Sequence, residues 1–227
     1  MIQIFKEELG YIKSLPKSEF IKKSKEKRWI KLAIVLLIWI PLDIVLGFGS
    51  WELVAWSFPI LEEADMDIME NGLAFAVFSA ILFAPLAEES MFRLFLKFSR
   101  ARWNISFLLF GLAAFTISKY LAFTLLILWV IIGIWFYHRY FYSKFLFRFL
   151  KYKKFWFWLM VLLFGFTHIS NFDLEIVPIY LYPLAVLPQL FGGLILGIVR
   201  LRFGFWYAVF LHAFNNAVAL LYIYFTA

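Results

Sequence analysis

Long apolar runs separated by short polar stretches dominate the chain from residue 29 onward. Seven such runs fall at 29–50, 72–98, 103–118, 120–137, 155–170, 177–199 and 203–225. A helix of about 20 apolar residues crosses a bilayer, and helices satisfy their own backbone groups there. The pattern predicts an all-α, polytopic transmembrane helical bundle of about seven spans. Six to eight are compatible with it, because only Ser118, Lys119 and Tyr120 separate two of the runs.

The composition agrees with a membrane protein. The 227 residues are 64% hydrophobic and 16% charged, whereas soluble domains are about half apolar and about a quarter charged. The chain has no cysteine, which excludes disulfides and thiolate metal sites. The net charge of +7 indicates a cytoplasmic face rather than nucleic-acid binding. We therefore expect a lipid bilayer, and no nucleic acid, as a partner.

The distribution of charge predicts the orientation of the spans. With the N-terminus inside, every Lys and Arg except Lys119 falls on the inner segments 1–31, 93–102, 138–154 and 200–202. This asymmetry follows the positive-inside rule and predicts an integral cell-membrane protein with a cytoplasmic N-terminus and an outer C-terminus. Residues 1–28, which carry mixed charge, are predicted to be a cytoplasmic basic, amphipathic segment, and 29–227 the transmembrane domain.

Several ionisable side chains lie inside the predicted spans. They are Asp43, Glu88, Glu89, Arg93, His168 and His212, accompanied by the amides Asn215 and Asn216. A charged group in hydrocarbon costs several kcal/mol, so such residues are functional candidates by default. Counting a helical rise of about 1.5 Å per residue places Glu88, His168 and His212 roughly 15–21 Å from the inner surface. A shared depth for three residues far apart in sequence suggests one site.

The local spacings suggest the chemistry of that site. Glu89 and Arg93 are four residues apart, so they share a helix face and are predicted to pair. Glu88 then faces elsewhere and is a candidate general base. His212 and Asn216 also share a face, where they could bind a metal or donate hydrogen bonds to an oxyanion. The role of Asp43, which follows Pro41 in the first span, stays open.

These motifs resemble those of the CAAX-protease and bacteriocin-processing (CPBP) family of intramembrane proteases. Glu88-Glu89-x-x-x-Arg93, Phe164-x-x-x-His168 and His212-x-x-x-Asn216 occur in the family's order, and the resemblance covers residues 72–225. Two features depart from the family. Leu94 stands where the family usually has glycine after the arginine, and the interval from Glu88 to His168 is long, as if 103–154 were inserted.

The resemblance implies a role for each residue of the motifs. Glu88 would activate a water molecule with assistance from His168, while His212 and Asn216 would hold the oxyanion. Glu89, Arg93 and Phe164 would support the site structurally. The implied activity is that of an intramembrane endopeptidase. Its substrates would be membrane-associated peptides or proteins, such as prenylated CAAX proteins or bacteriocin-like peptides.

Three alternatives remain at this stage. The site could use no cofactor, or Glu88, His168 and His212 could hold Zn²⁺ and leave an open position for water. The chain could instead be a catalytically silent family member that acts as an immunity or scaffold protein. It could also be a proton-coupled transporter, because intramembrane Glu and His residues form proton relays.

Overall fold

The computed structural model describes residues 2–14, 21–65, 69–70 and 72–226. Within these residues the chain is helical throughout, apart from connections and one isolated antiparallel bridge between Asp65 and Phe172. The predicted all-α class is therefore confirmed. Residues 1 and 15–20 of the predicted N-terminal segment lie outside the described residues.

The chain divides into two compact units, and the first comprises residues 1–85 and 161–227. The helices that lie wholly in this unit are α1 Ile2–Ser14, α2 Arg28–Ile34, α3 Ile40–Ser57, α4 Ile60–Glu63, α5 Leu73–Val77, α11 Tyr182–Ala185, α12 Leu187–Arg202 and α13 Phe205–Thr226. The unit also contains the start of α6 Ala84–Glu88 and the end of α10 Lys153–Thr167. Gly204, with φ of +135°, makes the turn between α12 and α13 in a backbone region that disfavours side chains.

The second unit comprises residues 86–160. It contains the end of α6, then α7 Arg100–Ala113, α8 Lys119–Tyr137, α9 Arg139–Lys151 and the start of α10. Its interior is aromatic: Phe95 is fully buried and packs edge-on against Trp103, and the Trp103 ring stacks on Phe107 with centroids 3.8 Å apart. Such pairs add to the stability that burial of apolar area supplies.

Each of the seven predicted apolar runs coincides with helix, but fewer helices are long enough to span a membrane. Among the described residues, four continuous helical stretches qualify by length and composition, namely 28–57, 73–96, 119–137 and 205–225. A fifth span results if the pair 179–185 and 187–202, bent by 42°, counts as one. α7 and α10 have only 14 and 15 residues. At a rise of about 1.5 Å per residue they reach roughly 21–23 Å, short of the ~30 Å core.

Two prolines explain why the long helices of the first unit contain π-helical segments. The N–H of Ile40 bonds to Val35 O and that of Ala84 to Ser79 O, each five residues back, in the segments Val35–Trp39 and Phe78–Phe83. In that register the next donors would be residues 41 and 85, which are both proline and have no N–H. One carbonyl in each segment, Leu36 O and Ala80 O, is therefore left without its backbone donor.

The N-terminal helix is attached to the first unit by a buried ion pair. Glu8 is only 3% exposed and accepts a hydrogen bond from Arg202 Nε at 2.7 Å, with a second bond from Arg202 Nη2. Trp39 Nε1 also donates to Glu8, at 3.1 Å. α1 is thus fixed to the end of α12, an attachment that the amphipathic pattern of residues 1–28 does not predict.

Candidate active site

The first motif, Glu88-Glu89-x-x-x-Arg93 (motif one), runs from Glu88 into a third π-helical segment, Glu89–Arg93, in the second unit. Arg93 Nη1 donates to Glu89 Oε1 at 2.7 Å, and both side chains are almost completely buried. The pair that the spacing predicts is therefore present. The π turn also presents the carbonyl of Ser90 to a neighbouring helix, where Ser106 Oγ donates to it at 2.6 Å. π turns inside helices often occur at functional sites.

Glu88 is the last residue of α6 and immediately precedes this π turn. Its side chain is half-buried, whereas that of its neighbour Glu89 is completely buried. The two adjacent carboxylates are thus in different surroundings. Glu89 is held by an arginine, and Glu88 is the less buried residue of the two.

The second motif, Phe164-x-x-x-His168 (motif two), places His168 at the end of α10, in the first unit. The helix ends at Thr167, so its last carbonyls have no helical donor. His168 Nδ1 is 2.7 Å from Phe164 O, and Thr167 Oγ1 donates to the same oxygen at 2.8 Å. Because a carbonyl only accepts, Nδ1 must carry the proton. In the neutral ring, Nε2 is then the basic nitrogen.

Phe164 brings the two histidines of motifs two and three together. Its buried ring lies 4.7 Å from the ring of His168 and 5.8 Å from that of His212, measured between centroids. His212 is itself buried, on α13. Gly165 allows α10 to approach α12, since a Cβ at this position would lie 2.4 Å from a methyl carbon of Leu190. Phe164 thus contacts both imidazoles, and its role in supporting an active site stays a prediction.

Asn216 bonds to the carbonyl that Pro85 leaves without a backbone donor. Its Nδ2 donates to Ala80 O at 2.7 Å, which ties α13 to the π-helical segment Phe78–Phe83. An amide nitrogen carries two hydrogens, so a bond to an oxyanion would have to use the other one. The sequence suggests a shared face for His212 and Asn216, but the bond to Ala80 depends on the π register of another helix.

Asp43 and Asn215 form a polar pair that spacing within one motif could not reveal. Asp43 is buried on α3, and Asn215 Nδ2 donates to its Oδ2. In the sequence, the sign that Asp43 has a role is the presence of an aspartate in a predicted membrane span. Its partner lies 172 positions away along the chain, next to Asn216. Asp43, whose role the sequence leaves open, therefore bonds to a residue of α13.

The predicted site residues are divided between the two units. Glu88, Glu89 and Arg93 belong to the second, and Phe164, His168, His212 and Asn216 to the first. Within the described residues of either unit, no three His, Asp or Glu side chains form a group able to hold a metal ion. The proposed zinc ligands Glu88, His168 and His212 draw on both units, and that set stays a prediction.

Comparison with known protein families supports the resemblance seen in the motifs. The family model described as Type II CAAX prenyl endopeptidase Rce1-like matches residues 121–218. The matched segment is less than half of the chain; it includes motifs two and three and begins after motif one. No curated protein and no solved structure matches the chain significantly. Across residues 121–218, this chain is therefore similar to the Rce1-like type II CAAX prenyl endopeptidases.

Proposed function

We propose that this protein is an intramembrane endopeptidase that cleaves prenylated CAAX-type proteins near their C-termini. Similarity of residues 121–218 to the Rce1-like family supports a membrane-embedded protease of the CAAX type. The observation that carries the catalytic part of the proposal is the contact of His168 and His212 with one phenyl ring, that of Phe164. Two imidazoles from separate helices are held there by specific contacts.

In the proposed mechanism a water molecule is the nucleophile. Glu88 takes its proton, and Nε2 of His168 assists by accepting a hydrogen bond from the same water. The oxygen attacks the carbonyl carbon of the scissile peptide, and the electron pair of the C=O bond moves to oxygen. Collapse of this tetrahedral intermediate breaks the C–N bond, and the proton held by Glu88 passes to the leaving amine.

The oxyanion of the intermediate is assigned to His212 and Asn216. Donors aimed at developing negative charge are typically worth about 3–4 kcal/mol each in a dry site. His212 is buried, and Asn216 has a second N–H beyond the one that bonds to Ala80. If the enzyme instead uses Zn²⁺, the residues that would hold it are Glu88, His168 and His212, and the ion would supply Lewis-acid chemistry.

A panel of peptides tests the proposed substrate class. Purified protein in detergent is incubated with a farnesylated CAAX peptide, the same peptide without the lipid, and an unrelated transmembrane peptide. We expect cleavage of the farnesylated peptide by wild type and none by Glu88→Gln or His168→Ala. Equal cleavage of all three peptides would contradict the assignment to prenylated substrates.

A complete lack of cleavage would have a different meaning. If wild type and both variants are equally stable and none cleaves any peptide, the result would favour a protein that acts by binding alone, as an immunity or scaffold protein. A proton flux into proteoliposomes that Glu88→Gln abolishes would instead support the transporter reading.

A further inference from the structure

We propose that Asp43 is a positioning residue which, through Asn215, fixes the rotation of α13 and so sets the direction of His212. This inference rests on the proposed function for its kinetic consequence. The part of the proposal that concerns the rotation of α13 does not depend on that function. Asp43 lies outside the three motifs, and nothing in the motif spacing assigns it a role.

The hydrogen bond between Asp43 and Asn215 is a strong one. Asp43 is 3% exposed in the first unit, and its carboxylate accepts a hydrogen bond from the Asn215 amide. A hydrogen bond to a charged group is stronger than a bond between neutral groups. A carboxylate in a membrane helix is costly to retain unless it is paired. This bond therefore joins α3 to α13 strongly.

Two hydrogen bonds hold α13 from different directions. Asn215 bonds to Asp43 on α3, and its neighbour Asn216 bonds to Ala80 O in the segment Phe78–Phe83. Consecutive residues on an α-helix point about 100° apart. Two ties at that angle determine the rotation of the helix about its axis, which one tie alone would not.

The rotation of α13 about its axis also sets the position of His212. His212 lies three residues before Asn215 and four before Asn216, so it is on the adjoining turn of the same helix. Its ring packs edge-on against Phe164. A rotation of α13 would carry the imidazole away from that ring. Misplacement of a catalytic group by about 1 Å can lower the rate about 100-fold.

An exchange of the two partners separates positioning from a direct role of the carboxylate. Asp43→Ala and Asn215→Ala each remove the bond, whereas Asp43→Asn combined with Asn215→Asp restores an amide–carboxylate pair in reverse. We expect the single variants to lower kcat about tenfold to 100-fold with KM nearly unchanged. The exchanged pair should recover most of the lost rate. Thr124→Ala, which removes a hydroxyl bonded to its own helix, is the control and should keep the wild-type rate.

A second readout does not depend on activity. The chain has three histidines, so ¹⁵N-histidine labelling gives three ring environments to follow by NMR in detergent. Asp43→Ala should shift the His212 signals and leave those of His138 unchanged, and the exchanged pair should return them. Failure of wild type to cleave any peptide would refute the proposed function while this test of positioning still stands.

Two results would overturn the positioning role. One is unchanged kcat and unchanged His212 signals in a folded Asn215→Ala variant. The other is an exchanged pair that folds with the wild-type melting temperature and wild-type His212 signals but has no activity while wild type is active. In that case the carboxylate itself is needed on α3.

Discussion

At the scale of single residues, the end of α10 determines which nitrogen of His168 is basic. Because Nδ1 donates to Phe164 O at 2.7 Å, we predict that the neutral ring carries its proton on Nδ1. The ¹⁵N chemical shifts of labelled histidine, assigned with His168→Ala, report the tautomer directly. A His168 ring protonated on Nε2 at neutral pH would contradict the proposed direction of this bond and the role of Nε2 as a proton acceptor.

The buried ion pair of motif one gives a stability prediction. Arg93→Met leaves the Glu89 carboxylate in a fully buried position, so we expect a loss of about 3–5 kcal/mol in the free energy of unfolding. The double variant Glu89→Gln/Arg93→Met removes both charges and should be more stable than the single one. Both are compared by unfolding in detergent with Lys144→Met, an exposed basic position on α9. A loss no larger than in that control would show that the pair contributes little.

The hydrogen bonds between single side chains differ in whether the sequence alone predicts them. The Glu89–Arg93 pair follows from the i, i+4 geometry of one helix, so local spacing is sufficient. The Asn216–Ala80 bond requires knowing that Ala84 bonds five residues back and that Pro85 offers no donor. The Asp43–Asn215 bond depends on the packing of two distant helices, which no local pattern contains.

At the scale of elements, Pro85 exposes the carbonyl to which Asn216 bonds. In Pro85→Ala, residue 85 regains an N–H that can bond within its own helix, and proline inside a helix costs about 3 kcal/mol. We therefore predict a melting temperature equal to or above that of wild type, together with a lower kcat because the tie to α13 is weakened. Both are measured on the same detergent preparation.

The matched control for this prediction is Ser79→Ala. Ser79 lies in the same π-helical segment, and its hydroxyl bonds to Phe75 O on its own helix. It should retain the wild-type rate. A Pro85→Ala variant with full activity and a regular helix would contradict the importance of the exposed carbonyl.

The elements themselves are largely predictable, although their lengths are not. Every predicted apolar run is helical, because burial in hydrocarbon requires internal backbone bonding. The runs containing α7 and α10 yield helices of 14 and 15 residues, with 3₁₀ turns where they end. Those ends depend on tertiary contacts, such as the capping of Phe164 O by His168, which hydropathy does not contain.

At the scale of the whole molecule, the distribution of charge predicts the orientation in the membrane. The chain contains no cysteine, so single-cysteine variants can be labelled without a background signal. Lys151→Cys on α9 and Glu175→Cys, both at exposed positions, represent the predicted inner and outer faces. We predict that an impermeant maleimide labels only Glu175→Cys on intact cells and labels both after permeabilisation. Labelling of Lys151→Cys on intact cells would reverse the assigned topology.

Activation of water by Glu88 and His168 without a metal can be measured as the cleavage rate of a farnesylated CAAX peptide with and without a strong chelator. Wild type, Glu88→Gln and His168→Ala are run together. We expect an unchanged wild-type rate in chelator and a loss of about 100-fold or more in each variant. Loss of wild-type activity in chelator, restored by Zn²⁺, would contradict this expectation and make Glu88, His168 and His212 the candidate metal ligands.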